Sequence, residues 1–244
     1  MDGCCSRSGL QLRNGRLVVP VWFSDGSAHD MGPAHRGHRP SCVGVIYSDD
    51  SGETWCRGEL AARSGGILRN PSETALVELS DGSVLFNIRS ESDAQRRLIS
   101  VSPDGAAAWT PPRFDSALLD PVCMGSLLRI SWPESGRNQI VFPNPDTLDR
   151  TMESCWGGRI QAPNCDRKQL TIQLSLDDCR SWNCKRFIES GPAGYSDLAL
   201  DRQGRILCFY ECGILSGMFD DRYLALARFD LEWLTAGKIA AGSA

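Results

Sequence analysis

The amino-acid sequence predicts an all-β fold, and three observations support that prediction. Short runs rich in β-branched and aromatic residues, such as LVVPVWF, SVLFNIR and LTIQLSL, recur along the chain, whereas helical periodicity is scarce. Turn-forming residues separate these runs. A polar motif that ends in tryptophan also recurs in step with the turns. Together these features predict strands joined in series by hairpins.

The hairpins are predicted from the residues between consecutive strand-like runs. Asn14-Gly15, Asp81-Gly82 and Gln203-Gly204 each separate two such runs, and a weaker fourth turn lies at residues 135–137. Asn-Gly and Asp-Gly are strong hairpin signals because type I′ turns need positive φ at both central residues. The sequence therefore predicts four hairpins, with type I′ turns at the clearest sites.

The tryptophan motif occurs once in complete form. In YSDDSGETW, the residues that fit the pattern S-x-D-x-G-x-T-W are Ser48, Asp50, Gly52, Thr54 and Trp55. Serine and aspartate side chains can accept hydrogen bonds from the backbone amides of a turn, and glycine relieves φ strain there. The tryptophan is expected to place its indole between neighbouring sheets. We interpret the motif as a structural staple without chemistry of its own.

Two partial copies of the motif follow later in the chain. Residues 102–109 keep the serine, Asp104 and Trp109 but have alanine at the glycine and threonine positions. Residues 175–182 keep the serine, Asp177 and Trp182, with cysteine and serine at those positions. Each copy follows a hairpin. A hairpin plus two strands makes a four-stranded antiparallel sheet, and serial repetition of such sheets is typical of a β-propeller. At roughly 40–60 residues per blade, the chain has room for about four to five blades.

Composition excludes several classes of function. The 244 residues carry a formal net charge of -4, which gives no electrostatic footprint for nucleic acid or an anionic membrane. No signal peptide is visible, so we expect the chain as encoded to be cytoplasmic, whereas a longer precursor could be secreted. The 11 cysteines are odd in number and lack a C-x-x-C pair, which favours reduced structural thiols. The histidines at 29, 35 and 38 share one Gly/Pro-rich loop, where two histidines at i, i+3 are only weak evidence for a metal site, so we expect no metal and no cofactor.

Three further motifs extend the pattern into a family resemblance. They are NPSETALVELSDGSVLFNIRS, DRKQLTIQLSLDD and GPAGYSDLALDRQGRILCFYECG, in that order. With the tryptophan motifs, known as Asp boxes or BNR repeats, they resemble the sialidase (neuraminidase) family, particularly the bacterial exo-α-sialidases. The resemblance covers nearly the whole chain. It implies a single domain over 1–244, of the six-bladed sialidase β-propeller type and incomplete at its N-terminus, that acts on a sialylated glycan.

The resemblance also implies a set of site residues. Tyr195 matches the nucleophile of the family and Glu73 its base, because a neutral tyrosine avoids repulsion by the substrate carboxylate. Arg89 and Arg167 match members of the arginine cluster that binds this carboxylate, which suits the bidentate geometry of arginine. Glu211 matches the carboxylate that orients an arginine. Arg159 competes with Arg167, and Glu78 competes with Glu73 but is expected to face solvent on a strand.

The sequence departs from the family pattern in two parts of the site. No residue matches the general acid/base aspartate or the first arginine of the triad. We therefore expect little turnover, seen first with activated aryl leaving groups, and self-association through open propeller edges. Asp25 and Asp30 are the alternative acids. The competing hypothesis is a non-catalytic propeller that binds acidic glycans or a protein partner.

The resemblance makes two spatial predictions. Glu73, Arg89, Arg167, Tyr195 and Glu211 are expected to converge at one end of the propeller axis, because propellers gather equivalent positions around a central channel. The three motif tryptophans are expected at equivalent peripheral places, well away from that cluster.

Overall fold

The computed structural model describes residues 3–5, 9–27, 37–150, 166–214 and 221–236 of the chain. These residues form sixteen β-strands, one 3-10 turn and one five-residue α-helix, so the predicted all-β class is confirmed. No helix within the described ranges is long and apolar enough to cross a membrane. The chain divides into two compact units, Met1–Ser116 and Ala117–Ala244.

The first unit contains two antiparallel sheets. The first sheet has the order β1-β3-β4-β5, with β2 paired to β3 and β6 paired to β4, and the second has the order β10-β9-β8-β7. The strands are β1 (Gly3–Cys5), β2 (Leu10–Gln11), β3 (Leu17–Ser24), β4 (Ser41–Ser48), β5 (Cys56–Arg57), β6 (Ala62–Arg63), β7 (Thr74–Glu78), β8 (Val84–Ile88), β9 (Arg96–Ser102) and β10 (Arg113–Leu119). A buried aliphatic and aromatic cluster that includes Val18, Val43, Leu76 and Phe86 draws on both sheets, and its burial is the main stabilising contribution.

The second unit contains one continuous run of antiparallel pairs from β11 to β16. The strands are β11 (Leu128–Ser131), β12 (Gln139–Pro145), β13 (Lys168–Ser175), β14 (Cys184–Leu200), β15 (Ile206–Ile214) and β16 (Asp221–Phe229), followed by helix α1 (Leu231–Thr235). The first half of β14 pairs with β13 and its second half pairs with β15. The described strands therefore fall into four antiparallel groups, two per unit, which agrees with the four to five blades predicted.

The hairpins are confirmed, but the predicted turn type is wrong. At the first hairpin the Leu12 amide donates to the Arg16 carbonyl and the Gly15 amide donates to the Leu12 carbonyl, both at 2.8 Å. Only the glycine has positive φ there, at 96°, and Gly82 and Gly204 repeat this with 85° and 75°. A type I′ turn would need positive φ at the preceding residue as well. The chain instead places a single left-handed glycine at the end of each loop, as a G1 bulge does.

The first Asp box forms the hydrogen bonds expected of a staple. The Gly52 amide donates to Ser48 Oγ at 2.8 Å, and the Thr54 amide donates to Asp50 Oδ1 at 2.9 Å. The side-chain hydrogen bond from Thr54 is the largest cause that lowers the pKa of Asp50 to about 2. The third box repeats this geometry, with amides donating to the Ser175 and Asp177 side chains at 2.9 and 2.8 Å.

The second Asp box uses a glycine one position before the glycine position of the motif. The amide of Gly105, which has φ 74°, donates to Ser102 Oγ at 2.9 Å. Burial alone would raise the pKa of Asp104, but hydrogen bonds from the amides of Ala106 and Ala107, from Ser102 and from the Arg16 guanidinium lower it to about 2. Alanine thus fits at the glycine position of the box because the amide of Ala106, not its side chain, makes the contact.

The three motif tryptophans are not equivalent, which corrects the prediction for the first of them. Trp55 remains 45% exposed, with its indole N–H donated to the carbonyl of Gly52 at 3.1 Å. Trp109 packs on Phe86 with ring centroids 4.1 Å apart, and Trp182 lies 5.9 Å from Phe142. The indole N–H of Trp55 is thus paired within its own turn, while a large part of the ring stays exposed.

Candidate active site

The first unit brings Glu73 and Arg89 together at the end of a strand pair. Thr74 on β7 lies opposite Ile88 on β8, so the residues just outside this pair are opposite each other as well. The Arg89 amide donates to the Glu73 carbonyl at 3.0 Å, and the Arg89 guanidinium donates to the Glu73 carboxylate. Both side chains are largely buried, with 15% and 18% exposed. The two predicted residues therefore form a shielded ion pair.

A second ion pair at the same end of this sheet was missed by sequence reasoning. The Arg39 guanidinium donates from Nε and Nη2 to the Glu91 carboxylate at 2.7 and 2.6 Å. The Asn70 side-chain amide donates to the same carboxylate at 2.7 Å. Since Glu91 lies two residues beyond Arg89, this pair holds the segment that carries Arg89. Because two N–H groups of Arg39 donate to the two oxygens of one carboxylate, the relative orientation of the two side chains is fixed.

The second unit brings Arg167 to Tyr195. Arg167 precedes β13, is 3% exposed and donates from Nη2 to the Val122 carbonyl at 2.6 Å. Its own carbonyl accepts the Ala193 amide at 3.0 Å. The guanidinium carbon lies 5.3 Å from the centroid of the Tyr195 ring. The pairing of β13 with β14 thus places a fixed cation over the face of the predicted nucleophile.

Glu211 contacts the backbone of the predicted nucleophile. Its carboxylate Oε2 accepts the amide N–H of Tyr195 at 2.8 Å. Glu211 lies on β15, directly opposite Leu224 of β16. The predicted role of Glu211 in orienting an arginine stays a prediction. The five predicted residues thus form two groups, Glu73 with Arg89 in the first unit and Arg167, Tyr195 and Glu211 in the second, and the convergence of the two groups also stays a prediction.

Two of the four alternative site residues, Glu78 and Asp25, lie within the described ranges. Glu78 does not face solvent, which corrects the prediction: it is 6% exposed and accepts the Arg13 amide at 2.9 Å. The pKa of Asp25 is lowered, first by the backbone hydrogen bond of Ser27, which is unfavourable for a general acid. Arg159 and Asp30 lie outside the described residues.

Several cysteines and one histidine lie within the described ranges. Cys56 and Cys208 are among the described cysteines that are free thiols. Burial raises the pKa of Cys208 to about 12. A buried thiol like that of Cys208 is inert. His38 packs edge-on against Trp22, with ring centroids 5.9 Å apart, while His29 and His35 lie outside the described residues. The described ranges contain no group of three or more potential metal ligands.

Comparison with known proteins defines the class of the chain. Its fold matches a Hadza microbial sialidase with a TM-score of 0.69 at 24% identity, over 95% of this chain and 38% of that one. It also matches a leech intramolecular trans-sialidase, complexed with 2,7-anhydro-Neu5Ac prepared by soaking with 3′-sialyllactose. That TM-score is 0.69 at 22% identity, over 94% of this chain and 32% of the other. The chain therefore has the β-propeller fold of sialidases.

The sequence places the chain in a particular family. A model of the BNR repeat-like domain matches residues 2–208, and the chain belongs to this family, with sialidases as its relatives. It is 32% identical over 194 residues to a sialidase of Micromonospora viridifaciens, covering 78% of this chain and 25% of that protein. It is 25% identical over 228 residues to sialidase-3 of Mus musculus, covering 84% and 53%. The chain thus spans between a quarter and about half of these relatives.

Proposed function

We propose that the chain carries part of the site of a retaining exo-α-sialidase, which hydrolyses terminal sialic acid from glycoconjugates. The single observation that carries the proposal is the placement of the Arg167 guanidinium 5.3 Å from the Tyr195 ring centroid. The carboxylate of a sialoside is bonded to its anomeric carbon. A cation that binds this carboxylate must therefore lie beside the nucleophile that attacks the carbon. The names of the relatives support a sialoside substrate.

Four of the predicted residues have a chemical task in this mechanism. Arg89 and Arg167 bind the substrate carboxylate, since arginine matches carboxylate geometry. Glu73 takes the phenolic proton as Tyr195 Oη attacks the anomeric carbon, and the bond to the aglycone oxygen breaks. Water then attacks the same carbon and releases Tyr195, with net retention of configuration. No residue of this sequence is assigned to protonate the leaving oxygen, so leaving groups that need little protonation should react first.

The second candidate function is binding of acidic glycans without turnover. The ion pair between Arg89 and Glu73 favours it, because a carboxylate bonded to arginine is a weaker base toward a phenol. In a catalytic site the substrate carboxylate must compete for Arg89 and free Glu73. In a purely binding site this exchange is not required. The two candidates therefore differ in whether Glu73 affects turnover or only affinity.

Hydrolysis of an aryl α-sialoside tests the proposal. We expect slow release of the phenol by the chain, with the α anomer of sialic acid appearing first by proton NMR. Glu73→Gln should lower the rate about 10²- to 10⁴-fold as general-base catalysis is lost. Tyr195→Phe should remove turnover, and Tyr223→Phe, an exposed tyrosine on β16, serves as the control. Equilibrium binding of a sialylated glycan with no release of phenol would instead support the binding module.

A further inference from the structure

The strand that carries Tyr195 contains a bulge at that residue. On β14 and β15, Ala193 lies opposite Cys212 and Ser196 lies opposite Tyr210, with a register shift between these pairs. Three steps along β14 therefore face two steps along β15. An extra residue of this kind interrupts the ladder and redirects a side chain. Gly194 and Tyr195 fill the bulge, and Glu211 is the residue across from them.

The Glu211 carboxylate occupies the space inside this bulge. Its Oε2 accepts the Tyr195 amide at 2.8 Å, so a side chain replaces the carbonyl that a regular ladder would supply. A Cβ on Gly194 would lie 2.6 Å from the same oxygen, closer than real Cβ atoms come, and 3.5 Å from the Glu211 Cβ. Gly194 is itself buried. Only a residue without a side chain leaves room for the carboxylate at this position.

We propose that Glu211 is a positioning residue for Tyr195, and that the absence of a side chain at Gly194 makes this contact possible. The carboxylate holds the amide that the bulge releases from the ladder, and thereby sets the direction in which the phenol leaves the strand. A charged acceptor gives a shorter and stronger hydrogen bond than a carbonyl. The catalytic meaning of the contact rests on the proposed function, whereas the contact itself does not.

The contact is tested first without any activity measurement. In the full chain labelled with ¹⁵N, the Tyr195 amide proton should move upfield in Glu211→Gln relative to wild type, because a neutral acceptor makes a weaker hydrogen bond than a carboxylate. In Glu211→Ala the hydrogen exchange of this amide should accelerate about tenfold or more, as a bond to a charged group is lost. A Tyr195 amide resonance that does not move in Glu211→Gln, together with unchanged exchange of this amide in Glu211→Ala, overturns the proposal.

A matched pair of glycine variants tests the need for space. Gly194→Ala should displace the carboxylate and accelerate exchange of the Tyr195 amide, as Glu211→Ala does. Gly191→Ala is the control on the same strand, because its Cβ would meet only the movable Glu189 Oε1, at 3.2 Å. Equal Tyr195 exchange in both variants contradicts the proposal.

Turnover of the aryl sialoside separates this inference from the proposed function. Glu211→Gln and Gly194→Ala should lower kcat more than they change KM, because a misdirected nucleophile still allows the carboxylate to bind. If the Tyr195 amide responds to the Glu211 substitutions but wild-type protein has no turnover, the positioning contact is supported and the proposed enzymatic function is contradicted. If turnover depends on Tyr195 but its amide does not respond to the Glu211 substitutions, the enzymatic function is supported and the positioning role of Glu211 is contradicted.

Discussion

Gly58 provides a stringent test of how the first unit is packed. It follows β5 and its amide donates to the Val45 carbonyl at 2.9 Å, while the next amide, of Glu59, donates to the Ala106 carbonyl at 2.8 Å. A Cβ on Gly58 would lie 2.4 Å from both the Ala106 carbonyl oxygen and Val45 Cγ1. The backbone at residue 106 belongs to the second Asp box. Gly58→Ala must therefore push apart β4 and this box.

The magnitude follows from these contacts. Overpacking costs about 1–3 kcal/mol and a lost backbone hydrogen bond about 1 kcal/mol, so we expect Gly58→Ala to lower the free energy of unfolding by about 3 kcal/mol. At about 2–4 °C per kcal/mol, the Tm should fall by roughly 10 °C. Gly44→Ala is the control, because its Cβ would meet the end of the Leu60 side chain at 3.2 Å, which can move. Thermal and urea unfolding of both variants measure the difference, and equal stabilities would refute the packing described for Gly58.

Three further predictions concern the boxes and the thiols. The lowered pKa of Asp104 stabilises the fold fully above about pH 4, where the carboxyl is ionised in the unfolded chain as well, and this contribution is lost as the pH falls through about 2. Asp104→Asn should therefore cost about 1 kcal/mol at pH 7, after allowance for solvent screening, and clearly less at pH 2, as urea titrations at both pH values will show. Ser175→Ala should lower the free energy of unfolding by about 1–3 kcal/mol, since it removes the hydroxyl that accepts the Cys179 amide in the third box; stability like that of wild type would contradict this role. Alkylation of native protein at pH 8 should label Cys56, which is exposed, and spare Cys208, whose raised pKa keeps it protonated; peptide mass spectrometry measures this, and labelling of both at one rate would refute the burial.

Local features were the ones that the sequence could predict. The hairpins and the three Asp boxes depend on turn residues and on hydrogen bonds that span at most about five positions, and their existence was read correctly from spacing alone. Even there the details depended on backbone geometry. At the first hairpin only Gly15 has positive φ, where two consecutive positive φ values were expected. In the second box Gly105 takes the role of the glycine that the motif has one position later.

Long-range features were not accessible to the same reasoning. The ion pair of Arg39 with Glu91 joins residues 52 positions apart, and no local pattern marks it. The exposure of Trp55 and the burial of Glu78 depend on what packs against each strand, which a strand-like run does not encode. The bulge at Tyr195 arises from the register between β14 and β15. The resemblance located the tyrosine, but only the pairing of the strands showed how its backbone is held.

The central claim is that Tyr195 is a nucleophile, and covalent capture tests it most directly. A sialosyl fluoride that carries a second fluorine at C3 loses fluoride without needing a protein acid, and the second fluorine slows breakdown of the product. Incubation of the full chain with this reagent should add one sialosyl group, and peptide mass spectrometry should locate it on Tyr195, with slower labelling in Glu73→Gln and none in Tyr195→Phe. An adduct on another residue, or equal labelling of Tyr195→Phe, would contradict the account.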